Sequence, residues 1–446
     1  MWPWYIPAAP GILLGAAKWL DIPADFIDLA IIEKTVSLKE QANIITEKNP
    51  SLVAFSLFSY LSQDHAKELA QHIKEIDSNI KIIAGGPGIK GTLNTDNFNY
   101  INELIQQGVI DYYIDGDGEL AWPKFLIDFF KIDKQIDFAV TARPYLPDYT
   151  KFDIDFYRKS AIQNKELFQI PITGSRGCVR KCTFCEIPGR WDFVQRSPDQ
   201  IAEEIREIAK LIPEGNFHFT DSLINGSIPA FDKILDHFIS IKKDYPLITW
   251  SSQFIIRDKK QCTEEYWKKI ADSGCANLEI GVETGSDRLR FEMKKNFYNE
   301  DLDSSLYYME KFNIKCSFLM FVGYPTETME DHELTVDMFK RYQQYAGKII
   351  RKIQLGYMFT INPGTPVYNE GIKNPQFIIS KNTSIWFNKD NPTLTFEERM
   401  RRRKNLEDTL IRLGYKLDFD NHQAKLEAEE NYKNNGKIIR LIEKQR

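Results

Sequence analysis

Three cysteines stand close together in the run Gly177-Cys178-Val179-Arg180-Lys181-Cys182-Thr183-Phe184-Cys185, directly after a strand-like stretch. Three thiolates on one short loop can each take one iron of a cubane cluster, which prefers soft sulfur ligands. The fourth iron then has no neighbouring cysteine and stays open to an exogenous ligand. Mononuclear zinc is the alternative, and it wants a fourth Cys or His to close a tetrahedron. The nearest histidine in sequence is His218 and the next cysteine is Cys262, so that ligand would have to fold in from a distance. Purely structural thiols fit less well, because three in one polar loop are poorly placed for burial.

A loop of this kind needs a rigid scaffold, and the surrounding sequence supplies one. Strand-like segments "FQIPITGSRG", "NFHFTDS", "LITWSSQFII", "NLEIGVETG", "IKCSFLMFVGYP" and "KIQLGYMFTINPGTP" alternate with helical ones such as "PDQIAEEIREIAKLI" and "TEEYWKKIADSG". Six such units over 166–374 predict a partial (β/α)6 barrel, with functional residues at the carboxyl ends of its strands. Upstream, over 1–138, "FIDLAIIE", "SLVAFSLFSY" and "IKIIAGGPG" give strands, "DHAKELAQHIKEI" a helix, and "DYYIDGDGELAWPKFLIDFF" a strand, turn and helix. That alternation predicts an α/β, Rossmann-like parallel sheet whose ligand would sit beyond the strand ends, where Ser56, Ser59, Gly85, Gly86 and Gly116 gather. Residues 139–165, with Pro144 and Pro147 and no sustained period, read as a linker. Over 375–446 the strand pattern fades and "TFEERMRRRKNLEDTLIRLGYKL" looks helical, with Arg401 to Lys404 expected on a solvated face.

Composition bounds the partners. The formal net charge of -5 gives no basic excess to grip a nucleic-acid backbone. Of six cysteines, Cys262, Cys275 and Cys316 stand alone, unlike a secreted disulfide framework. The apolar stretch Pro7 to Leu20 follows no basic region and is interrupted by Lys18, so it reads poorly as a signal peptide. No run is long enough to span a membrane. A reducing cytoplasm is the expected compartment.

The CxxxCxxC spacing, with Phe184 before the last cysteine and Ser175-Arg176-Gly177 before the first, resembles the radical S-adenosylmethionine superfamily. "NLEIGVETGSDRLRFEMKK" and "FLMFVGYPTETMED" resemble the fourth and fifth barrel strands of members that carry an N-terminal cobalamin-binding domain. "SLVAFSLFSY", "IKIIAGGPG" and "DYYIDGDGE" resemble that domain itself. The resemblance implies a 4Fe-4S cluster on Cys178, Cys182 and Cys185, with the methionine end of S-adenosylmethionine on its open iron. One electron from a donor such as flavodoxin or ferredoxin then yields methionine and a 5'-deoxyadenosyl radical. It further implies that Phe184 packs near the adenine and that Asp221 lies near the methionine amine. Glu283, Thr284 and Gly285 would meet the ribose or methionine carboxylate, and Gly323, Tyr324 and Pro325 would line the adenine side. Arg257, at the end of the third strand, would pair with a carboxylate of cofactor or substrate, or make a surface ion pair.

The N-terminal resemblance implies a corrinoid that carries a methyl group to a carbon radical, hence a methyltransferase acting on an unactivated carbon of a small molecule or peptide. Two features keep a cobalamin-independent cyclase or oxidoreductase open. No Asp-x-His-x-x-Gly motif follows a strand; the only Asp-x-His, at Asp420 to His422, has Lys425 where glycine belongs. The opening strand before "IPAAPGILLGAAKWL" is short or missing. Gly116 to Ala121 fits GxGxxA, but Asp115, Asp117 and Glu119 would repel a pyrophosphate there. A non-catalytic zinc-binding protein is the rival from a different class.

Overall fold

The computed structural model describes residues 4–32, 36–57, 62–89, 100–187, 192–356, 358–379 and 385–418. It divides into one unit of 1–171 with 203–215 and a second of 172–202 with 216–446.

In the first unit, strands β1 (Leu52–Ser56), β2 (Lys81–Gly85) and β3 (Tyr112–Ile114) form a parallel sheet in the order β1-β2-β3. Ser56 pairs with Gly85 and Gly85 with Ile114, so the three strands end level. Helix Gln63–Ile76 buries Ala66, Leu69, Ala70 and Ile73, one apolar stripe at helical spacing, in a core shared with Ile80, Ile82 and Ala84 of the sheet. Ser37 and Glu40 close a capping box on helix Leu38–Thr46, which joins that core. The other face holds helices Ala8–Trp19 and Gly118–Phe130 around Ala16, Ala17, Trp122 and Leu126.

Two expectations for this unit change. The "FIDLAIIE" segment carries the short helix Leu29–Ile32 rather than a strand; a brief apolar run packs equally well either way, and here Ile27 and Leu29 rest on the helical core. The 139–165 segment is packed and contains helix Ile154–Asn164. It lies against helix Ala8–Trp19 because glycines there leave no room for a side chain. A Cβ on Gly15 would sit 1.9 Å from the Leu146 carbonyl oxygen, and one on Gly11 would meet the buried Tyr149 ring at 2.3 Å. Ahead of helix Ala8–Trp19, Tyr5 makes an isolated parallel bridge with Gln169.

The second unit holds the strand–helix barrel, with β4 (Gln169–Ile172) at the unit boundary. Strands β5 (Ser175–Arg176) and β6 (Val194–Gln195) make a small antiparallel pair. The main strands are β7 (Gly215–Phe219), β8 (Ile248–Phe254), β9 (Cys275–Glu283), β10 (Cys316–Met320) and β11 (Ile350–Leu355), in the order β11-β10-β9-β8-β7-β4. The pairs from β8 to β11 are all parallel. Strand periodicity of two sorts the side chains. Phe217, Phe219, Trp250, Phe254, Leu278, Ile280 and Phe318 form the buried outer layer, with Phe238 of helix Ile228–Asp244 and Trp267 of helix Glu264–Asp272 packed on it. The opposite face is polar: His218 hydrogen-bonds Ser251 at 2.9 Å, Ser251 donates to Asn216, and Ser317 donates to Asn277 at 3.2 Å. Burial pushes the His218 imidazole down to about 4, so it is neutral near pH 7.

Beyond residue 374 the chain forms a hairpin of β12 (Phe377–Ile379) and β13 (Trp386–Asn388), then helix Phe396–Arg412. The solvated face expected for Arg401 to Lys404 is half right. Arg401 and Lys404 are exposed, whereas Arg402 is buried and ion-paired with Glu327 at 3.2 Å. Among the described residues, no helix is long and apolar enough to cross a membrane.

Candidate metal centre

The cysteine loop begins where β5 ends, and Gly177 turns it with φ of +71°, a conformation that suits glycine. Cys182 is buried; Cys178 and Cys185 are half-buried. The Arg180 N–H points at Cys178 Sγ at 3.4 Å, and the Cys185 N–H donates to the Cys182 carbonyl at 3.2 Å. Burial pushes all three thiols above their ordinary range, Cys182 to about 11, while the Lys295 ammonium pulls each of them back. A bound metal would reverse that balance, since a coordinating thiol is deprotonated outright. Among the described residues, no three His, Cys, Asp or Glu side chains converge as the ligands of one ion.

Asp221, just past the end of β7, is buried and accepts from the Gly174 N–H and the Ser175 hydroxyl, both at 2.7 Å. It therefore fixes the two residues that lead into the cysteine loop. Burial raises its carboxyl to about 7, against the pull of those hydrogen bonds.

The fourth-strand end provides the charged wall. Glu283 is buried at φ of +65°, an uncommon conformation for a side chain of its size, and accepts from Lys295 Nζ at 2.9 Å. Gly281 makes room for the pair, because a Cβ there would meet Glu283 Oε1 at 2.5 Å and Lys295 Nζ at 2.7 Å. Burial disfavours the Lys295 ammonium, but the Glu283 carboxylate and the Cys182 sulfur more than offset that and raise it. Lys295 also lies 5.8 Å from the centre of the Phe184 ring. Sequence reasoning missed Lys295; its one visible signal is the lysine pair that closes "FEMKK" after the fourth strand.

Other expected site residues hold the strand ends in place. Thr284 meets Thr335 at 3.0 Å, and the Gly285 N–H donates to the same hydroxyl at 2.9 Å. A Cβ on Gly285 would lie 2.5 Å from the Leu334 carbonyl oxygen, so helix Met329–Arg341 can approach only a glycine. The Gly323 N–H donates to Glu327 at 2.8 Å, and the Pro325 carbonyl accepts from Asn388 at 3.1 Å. Buried Tyr324 bonds the Thr183 hydroxyl at 2.9 Å, tying the cysteine loop to the fifth strand. Phe184 is half-buried, edge-on to Phe321 with centroids 5.2 Å apart. Arg257 donates to the carbonyls of Asn225 and Gly226. Within the second unit, Cys178 to Cys185, Phe184, Glu283 and Tyr324 are thus drawn together with Lys295.

In the first unit, Ser56 and Gly85 end their strands level. Gly86 has φ of +96° and runs against the backbone of Leu57, where a Cβ would meet its carbonyl oxygen at 2.5 Å. Gly116, at φ of +110°, borders open space. Ser59 lies outside the described residues.

Residues 172–339 match the Radical SAM superfamily. A protein of Methanocaldococcus jannaschii named as a methylthiotransferase is 25% identical over 319 residues, 69% of this chain and 66% of its own length. An uncharacterized methyltransferase of Pyrococcus horikoshii is 22% identical over 395 residues, 81% of this chain and 78% of that protein. Among solved structures, the radical S-adenosylmethionine methyltransferase TsrM from Kitasatospora setae, with tryptophan substrate and an adenosylmethionine analogue bound, gives a TM-score of 0.62 at 15% identity over 97% of each chain. The cobalamin-dependent radical enzyme OxsB with aqua-cobalamin bound gives 0.59 at 14% identity, over 86% of this chain and 62% of its own. At such identities the structural likeness shows a common fold. The domain that presents the cysteine loop, over residues 172–339, is a radical S-adenosylmethionine domain, and the chain is an enzyme.

Proposed function

We propose that this enzyme is a cobalamin-dependent methyltransferase acting on an unactivated carbon. The observation that carries the reading is the pairing of a three-thiol loop with a separate α/β unit whose strand ends at Ser56, Gly85 and Ile114 are level, with glycine turns at Gly86 and Gly116 after the second and third. The donor set fits a cubane cluster: three thiols on one loop, and the half-buried Lys295 close enough to Cys182 to offset thiolate charge. When bound, the cluster would supply one electron to the sulfonium of S-adenosylmethionine, whose carbon–sulfur bond then opens to a 5'-deoxyadenosyl radical. The protein's own part is placement and exclusion. Cys178, Cys182 and Cys185 hold the metal; Glu283 and Lys295 fix charge beside it; Phe184 and Tyr324 wall the adenosyl side. Asp221, through Gly174 and Ser175, sets the angle of the loop.

In the first unit, Ser56, Gly85, Gly86 and Gly116 would face the corrinoid. Glycines suit that role, because a wide flat ligand needs backbone without protruding side chains. The M. jannaschii relative raises methylthio transfer, which consumes a sulfur atom and needs a thiolate-bound source for it. The remaining cysteines, Cys262, Cys275 and Cys316, stand apart in sequence and none occurs before Cys178, which favours methyl over methylthio transfer.

Anaerobic incubation with S-adenosylmethionine, cobalamin and a chemical reductant tests the proposal. Formation of both 5'-deoxyadenosine and S-adenosylhomocysteine is expected. If 5'-deoxyadenosine forms with no S-adenosylhomocysteine, methyl transfer fails while radical chemistry stands.

A further inference from the structure

The inner face of the barrel carries a row of polar side chains on the N-terminal side of Glu283. Strand register sets Gln253 of β8, Glu279 of β9, Ser317 of β10 and Lys352 of β11 side by side, on strands about 4.8 Å apart. A period of two turns all four to the face of Ser251 and Asn277, away from the outer helices. The face is open at this level. Gln253 is exposed while its outward-facing neighbours Ser252 and Phe254 are buried, and Glu279 is half-buried.

Glu279 is the carboxylate of the row, and among the described residues it makes no hydrogen bond or ion pair. Lys352, at the other end, is ion-paired with Asp418 at 2.9 Å. Those three groups together carry one excess negative charge. Burial raises the Glu279 carboxyl; Lys352 pulls it back and Asp418 pushes it further up. A cation seated beside Glu279 would restore its charged form. The neighbours are acceptors as well. Ser317 Oγ donates its hydrogen to Asn277 Oδ1 at 3.2 Å and keeps its lone pairs, and the Gln253 amide can turn its oxygen inward. Two carboxylate oxygens, a hydroxyl and an amide oxygen form a surplus of acceptors, which the three N–H donors of an ammonium satisfy with charge-assisted bonds.

The row is also placed to serve the radical site. Glu279 and Glu283 share one face of β9 four residues apart, about 13 Å along the strand. Gly281 lies between them, and Leu319 is its partner in register on β10, so this intermediate level has an apolar wall. An extended carbon chain anchored by its ammonium at Glu279 would run past Leu319 towards the level of Glu283.

We propose that this row is the floor of the substrate pocket and that Glu279, with Gln253 and Ser317, selects a substrate bearing a primary ammonium several carbons from its reacting carbon. The proposal deepens the methyl-transfer reading and rests on it.

The test uses the reconstituted enzyme with S-adenosylmethionine and three probes of equal length, hexylamine, 1-hexanol and hexanoate, with affinities measured by calorimetry. Wild type should bind hexylamine roughly tenfold or more tightly than hexanol, and hexanoate most weakly. In Glu279→Gln, which keeps size and removes charge, hexylamine should fall to within about twofold of hexanol. Gln253→Glu adds a second carboxylate to the row and should widen the preference for the amine. Equal affinity of wild type for amine and alcohol would overturn the proposal, as would a preference that survives Glu279→Gln. Should that variant not fold, an unchanged preference in Gln253→Glu would overturn it as well. Perdeuterated hexylamine, incubated anaerobically with dithionite, should pass deuterium into 5'-deoxyadenosine. Bound amine with deuterium-free 5'-deoxyadenosine would take the row away from the substrate. Absence of 5'-deoxyadenosine would defeat the radical reading, and 5'-deoxyadenosine without S-adenosylhomocysteine would defeat methyl transfer. In both cases the binding arm, which needs no turnover, would still decide whether the row takes an ammonium.

Discussion

Half-buried Lys295 and buried Glu283 form an ion pair beside Cys182, and such a pair costs more to break than to replace. Removing the lysine leaves a carboxylate buried without its partner, a loss of about 3–5 kcal/mol. Lys295→Met should therefore lower the unfolding midpoint in urea, and Lys295→Met with Glu283→Gln should recover part of that loss; a midpoint equal to wild type in the single variant would remove the pair from the account. Asp221 makes a prediction with a definite sign. An unfolded aspartate releases its proton near pH 3.9, whereas folded Asp221 keeps it to about 7. The folded chain binds the extra proton between those values, so this group's contribution to stability is full below about pH 4 and is lost as pH rises towards 7. Asp221→Asn mimics the protonated form and should flatten that slope, measured as the difference in chemical-denaturation stability between variant and wild type from pH 4 to 7. An identical slope in both would place the titration elsewhere. None of this was legible in the sequence beyond residue type: "HFTDS" shows an acid at a strand end, but its partners Gly174 and Ser175 lie some 46 residues earlier in the chain.

The elements divide by how local their signals are. The barrel strands were legible because a period of two puts aromatic and aliphatic residues against the helices and Asn216, His218 and Ser251 on the other face. The role of helix Phe396–Arg412 was not, although its existence was. A run of basic residues reads as solvated, yet Arg402 reaches Glu327, 75 residues earlier, and Arg399 lies 3.9 Å over the Trp386 ring. Through Gly323, whose N–H bonds Glu327, this helix anchors the end of the fifth strand. Arg402→Ala should strand the buried Glu327 carboxylate and destabilise the chain by about 3–5 kcal/mol. Arg401→Ala, on the exposed side of the same helix, should change stability by less than about 0.5 kcal/mol. Equal effects from the two, read by thermal or urea denaturation, would contradict the anchoring role. The 139–165 segment escaped notice for a similar reason: its prolines suggest a linker, while what packs it is the absence of side chains at Gly11 and Gly15 far upstream.

For the whole molecule, the cysteine spacing and two strand ends carried most of the functional reading, because the chemistry demands those residues at those places. What the sequence left open is what the radical is used for. The first unit keeps level strand ends and a glycine turn at Gly86, on a sheet of three strands. Its occupant decides between methyl transfer and other radical chemistry, and the corrinoid experiment above addresses that choice. The central claim concerns the cluster itself. Anaerobically reconstituted wild type and Cys182→Ala should be compared for iron content, for the low-temperature spin resonance signal after reduction, and for 5'-deoxyadenosine formed from S-adenosylmethionine. Wild type should hold one four-iron cluster, show the signal of a reduced cubane and produce 5'-deoxyadenosine, and Cys182→Ala should lose all three. Zinc without iron in the wild type, or an intact cluster in Cys182→Ala, would contradict the account.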